Sequence, residues 1–96
     1  MNMNDLYGQI ASTIIQQQET IIGPVAVEQA RKVADLSIDW NKHSVKVNGD
    51  APKTIDELVR QYEHLFGKLS VDVCRDATAG LVAQLPAEKQ PKMLKA

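Results

Sequence analysis

The stretch LSIDWNKHSVKVNGD, residues 36–50, decides the fold, because it alone in the chain reads as sheet. Ile38 and Trp40 fall on one face with Ser37 and Asp39 opposed, then Val45 and Val47 share a face with Ser44, Lys46 and Asn48 opposed. Strict alternation of this kind marks a half-buried strand. Pairing Trp40 with Val45 leaves Asn41–Ser44 as a four-residue loop, a common hairpin length. Asn48, Gly49, Asp50 and Pro52 then punctuate the chain. Two short amphipathic strands cannot build a larger sheet, so helices must cover them.

The flanking sequence supplies those helices. From Asp5 to about Ile22 apolar residues recur at Leu6, Ile10, Ile14 and Ile21, the period of an amphipathic helix. Gly23 and Pro24 end it, and Pro24 suits the first turn of a second helix reaching about Leu36, with Ala26, Ala30 and Val33 on one side. After the hairpin, Thr54-Ile-Asp-Glu57 matches a capping box. The helix it opens places Ile55, Leu58, Val59, Tyr62, Leu65 and Phe66 on one face, with Gly67 suited to its C-cap. Ser70 fits the N-cap of a fourth helix, with Leu69 and Cys74 as a hydrophobic staple, running to about Leu85 before Pro86. The expectation is an α+β domain of four helices and one two-stranded antiparallel hairpin, order α-α-β-β-α-α, with the hairpin laid over helices three and four. Residues 1–85 form the single domain and residues 86–96 a flexible, Lys-rich tail.

Ninety-six residues make one domain with a modest core. Eleven Lys and Arg against twelve Asp and Glu give a net charge of −1, which argues against a protein built chiefly to hold a polyanion. One cysteine, Cys74, cannot form an internal disulfide and suits a reducing compartment. The longest apolar run, Ile21 to Val27, is broken by Gly23 and Pro24 and falls far short of the ~20 residues of a spanning helix. The opening residues MNMND lack the positive charge of a secretory signal, so the cytoplasm is the expected location.

Chemistry-bearing residues are sparse. Cys74 sits near a helix start, where a thiolate is stabilised, yet it shares a face with Ala77 and Leu81 and reads as a buried small hydrophobe. His43 falls in the hairpin loop and His64 opposite the apolar face of helix three, both read as exposed. Asp72 and Asp76 share a helix face but are too few oxygens for a hard cation, and no Cys or His spacing suits zinc. The five glycines form no phosphate-binding pattern. No catalytic residue, metal or cofactor is therefore expected.

The first helix points to a partner. Met3, Tyr7, Ile10, Ile14, Gln17 and Ile21 follow a 4, 3, 4, 3, 4 spacing, a heptad seam broken by one polar residue. Its remaining surface, Gln9, Ser12, Thr13, Gln16, Gln18 and Thr20, is polar but nearly uncharged. The hairpin adds unpaired strand edges, which a second copy or a target strand could cover. The interaction candidates are accordingly Tyr7, Ile10, Ile14, Gln17, Ile21, Trp40, Val45 and Val47. The expected function is a small protein–protein interaction or regulatory module, homodimeric and without catalysis of its own. The alternatives are a nucleic-acid-binding regulator using the Lys and Arg of residues 31–46 and the tail, and a cysteine-dependent enzyme or small-molecule sensor.

Overall fold

A computed structural model describes residues 2–95. Four helices and a two-stranded antiparallel sheet follow one another as α1 (Met3–Ile22), α2 (Val25–Ala30), β1 (Leu36–Asp39), β2 (Ser44–Val47), α3 (Ala51–Phe66) and α4 (Lys68–Val82), in the expected order α-α-β-β-α-α. No helix among the described residues is long and apolar enough to cross a membrane.

The central element is α1. Its start is held by the Asn2 side chain, which accepts from the Asp5 amide at 2.9 Å. Two stripes are buried, Leu6, Ile10 and Ile14 on one side and Tyr7, Ala11, Ile15 and Gln18 on the other, because α1 packs against β2 as well as α4. Close approach to β2 depends on Gly8: a Cβ there would lie 2.6 Å from the Val45 carbonyl oxygen. The core is completed by Ala26 and Ala30, Val45 and Val47, Ile55, Leu58, Val59 and Tyr62, and Val71, Cys74 and Val82.

The hairpin therefore rests mainly on α1, with only a minor contact to α3, and not over α3 and α4 as expected. Its pairs are Leu36 with Val47, Ile38 with Val45 and Asp39 with Ser44. The loop remains four residues, but it is Trp40–His43, a 3₁₀ turn closed by His43 in the left-handed region at φ 50°. The shift from a Trp40–Val45 pairing moves Val45 by two positions on β1, which preserves every residue's face. The helix before it is shorter than predicted. It ends at Ala30, after which the chain passes into tight turns, the Lys32 and Val33 amides donating to the Gln29 and Ala30 carbonyls at 3.1 Å, before the Asp35 carbonyl accepts from the Asn48 amide at 2.8 Å.

Helix starts differ too. Helix α3 begins at Ala51, capped by Asp50 and with Pro52 in its first turn. Thr54 lies inside it and donates its hydroxyl to the Asn48 and Asp50 carbonyls at 3.1 and 3.0 Å, so the capping box does not form. Helix α4 begins at Lys68 directly after Gly67, and Ser70 is not its cap.

Segment 86–95 is a docked strap rather than a loose tail; Ala96 lies outside the described residues. It forms two short 3₁₀ turns, Ala87–Lys89 and Lys92–Leu94, and buries Pro91 and Leu94 against α3 and α4.

Candidate functional site

Of the residues singled out in the sequence, Tyr7, Ile10 and Ile14 lie in the chain's own core. They cannot serve as a seam between subunits in this fold, because α1 meets β2 and α4 with the same side chains. Their companions Gln17 and Ile21 are exposed. The inward polar residue is instead the next one, Gln18, whose amide donates to the Ser70 carbonyl and to the Cys74 Sγ, both at 3.3 Å.

Val45 and Val47 are likewise buried, facing α1. Trp40 is half-buried and donates its indole N–H to Glu19 at 3.0 Å, with its ring edge-on to His43. One carbonyl of the connecting turn and one on the β1 edge have intrachain partners. The Ser12 hydroxyl donates to the His43 carbonyl in the turn at 3.0 Å, and Arg31 donates to the Ile38 carbonyl on β1 at 3.3 Å.

What the sequence leaves unpartnered lies elsewhere, at one end of the helix layer. The Gln18 bonds tie the last turns of α1 to the start of α4, and the Tyr62 hydroxyl donates to the Ala26 carbonyl at 2.7 Å, tying the end of α3 to α2. One turn beyond these anchors come Ile21 on α1, Leu65 and Phe66 on α3 and Leu69 on α4, which are 56, 47, 43 and 73 % exposed. Gly67, at φ 79°, makes the corner that lets α4 start immediately after α3. Leu65, Phe66 and Leu69 are left exposed around this corner. Leu69 is not a staple onto Cys74, and Leu65 and Phe66 leave the buried face of α3 that ends at Tyr62. A hint was present in the sequence: three large apolar residues surround a glycine within five positions, more than one tight corner can bury.

Reactive groups are sealed or scattered. Burial pushes the Cys74 thiol up, with the Gln18 hydrogen bond opposing in part, so it stays protonated at neutral pH. His43 and His64 are exposed on different elements. Asp72 pairs with Arg75 at 3.4 Å, and among the described residues no group of three His, Cys, Asp or Glu side chains could hold a metal.

Beside the strap, an open cleft of about 740 Å³ gathers Lys53, Arg60, Lys89, Lys92 and Lys95, with Asp50, Asp56, Glu57 and Glu88 among them. Arg31, Lys32, Lys42 and Lys46 do not line it, so the basic residues form no single patch there.

The fold and this end face define a small α+β domain with an uncovered apolar surface. Compared with known proteins, the chain matches no family model, no curated protein and no solved structure.

Proposed function

We propose that this chain is a protein–protein interaction module that pairs with a second copy of itself through the apolar end formed by Ile21, Leu65, Phe66 and Leu69. The observation that carries this reading is that Leu65, Phe66 and Leu69 are exposed on both arms of the Gly67 corner, while Ile21 is exposed one turn beyond Gln18, which bonds to Ser70 at the start of α4. Scattered apolar residues are normal on a protein surface, whereas a contiguous patch marks a contact site. We assign the module no catalysis of its own, on the grounds of a sealed thiol and histidines on separate elements. Its buried free thiol suits a reducing compartment such as the cytoplasm.

Light scattering over a wide dilution series tests the reading. The wild-type chain should show a dimer that dissociates on dilution, and Leu69→Asp should shift the midpoint at least tenfold to higher concentration while leaving the helical signal unchanged. A wild-type chain that stays monomeric throughout, or a dimer indifferent to Leu69→Asp, overturns it.

A further inference from the structure

The strap is held differently from the rest of the core. All of its own backbone–backbone hydrogen bonds are local, within the turns 86–90 and 91–94. Its attachment to the body comes from side chains that read its main chain. Asp56, buried on α3, accepts the Lys92 and Met93 amides at 3.2 and 2.9 Å, so it caps the second turn from outside. The Tyr7 hydroxyl donates to the Lys89 carbonyl at 2.5 Å, and Arg75 of α4 donates to the Met93 carbonyl at 3.2 Å. In the opposite sense, the strap's own Gln90 amide donates to the Val82 and Leu85 carbonyls of the body, both at 3.1 Å. Two side chains anchor it, Pro91 and Leu94, the latter 2 % exposed. Two apolar anchors three residues apart on a preformed turn, whose free amides meet a carboxylate, are how a groove recognises a peptide.

We infer that the seat formed by Tyr7, Asp56, Arg75 and the α3–α4 groove is a peptide-docking site, filled by the chain's own segment 86–95 and able to take the same segment from a second copy. Reach permits it. Residues 86–88 are the hinge between Leu85 and the docked stretch that starts at Lys89; drawn out, the four steps from Leu85 to Lys89 span up to about 14 Å, enough for two copies that meet side by side at this end to exchange their straps. Pro86 and Pro91 already hold extended backbone, with ψ 148° and 133°. Every copy carries both groove and strap, and exchange recreates the same bonds between chains. This seat involves none of the four residues of the apolar end face, so the two surfaces stand or fall separately.

The probe is a labelled synthetic peptide of residues 86–95, used with the full-length chain carrying Leu69→Asp so that end-face pairing does not contribute. Adding Leu94→Asp frees the seat. The peptide should then bind saturably, at least tenfold more tightly than to the chain with an intact strap, because the tethered segment competes at an effective concentration of about millimolar. Asp56→Asn should remove that binding. No saturable binding to a folded Leu94→Asp chain overturns the inference. Hydrogen exchange on the wild-type chain tests, independently of any variant, the opening that exchange of straps requires. The Lys92 and Met93 amides should exchange at least tenfold faster than those of Leu58 and Val59 while still protected, which reports strap opening on an intact body. Exchange of all four at one rate would make the strap part of the cooperative core and overturn the inference.

Discussion

At Gly8 two opposing effects meet in one side chain. Replacing a helix-interior glycine by alanine ordinarily stabilises a helix by up to about 1 kcal/mol. Here the new methyl would lie 2.6 Å from the Val45 carbonyl oxygen, a backbone atom that no rotamer change can move aside. Separating α1 from β2 loosens the packing of Val45 and Val47, so the clash wins. Gly8→Ala should lose about 1–2 kcal/mol in urea unfolding, whereas alanine at an exposed helix glycine such as Gly80 should not be destabilising. Cys74 carries a second consequence. Its thiol is raised by burial, so the unfolded chain ionises first as pH rises and is favoured by doing so. Stability should be insensitive to this group below about pH 8.5, the ordinary thiol range, and fall above it. Tyr62, also raised by burial, adds a further loss at higher pH. Cys74→Ala should flatten the first part of that decline in pH-dependent unfolding, and iodoacetamide should label the native thiol slowly.

Among the elements, α3 separates two ways of starting a helix. A capping box would give Thr54 and Glu57 the task, but the Asp50 side chain accepts from the Lys53 amide at 3.4 Å and Thr54 turns back to the carbonyls behind it. Asp50→Ala should therefore cost about 1 kcal/mol, and Glu57→Ala should stay within about 0.5 kcal/mol, as expected of an exposed surface residue; equal losses in thermal melts would restore the box. The element order was legible because its signals are local: the alternation in Ile38–Trp40 and Val45–Val47, the spacing of Leu6, Ile10 and Ile14, and the stop at Gly67. The candidate site was not. Periodicity says that Tyr7, Ile10 and Ile14 are buried but not against what, and an α1 covered on two sides looks in sequence like one with a side to spare. Leu65 and Phe66 continue the apolar period of Ile55, Leu58 and Tyr62, yet they are exposed, because periodicity does not say how far along α3 the covering elements reach. The strap escaped for a related reason. Lys89, Lys92 and Lys95 read as solvated, which they are, while the anchors between them, Pro91 and Leu94, need a groove made by distant elements.

For the molecule as a whole, the strap sets how stability is shared. A small domain has few apolar residues to bury, and Leu94 places one more large side chain in the core from a segment with no regular structure beyond two short turns. If that segment were an ordinary part of the core, Leu94→Ala would cost the ~2–5 kcal/mol typical of a buried leucine. Asp56→Asn would cost more on top, because Asp56 accepts two amides and an amide side chain has only one oxygen to offer them. A strap that can leave sets a ceiling instead. Once either change has released it, the body remains folded and the other has little left to break. The double variant should then lose markedly less than the sum of the single losses, by at least about 0.5 kcal/mol, the coupling expected of residues acting through one shared element. The m-value of the main transition should also fall in each single variant, since less surface remains to be exposed when the body unfolds. Urea unfolding followed by circular dichroism on the two single variants and the double variant measures both quantities. Additive losses with an unchanged m-value would mean that α3, α4 and residues 86–95 unfold as one piece.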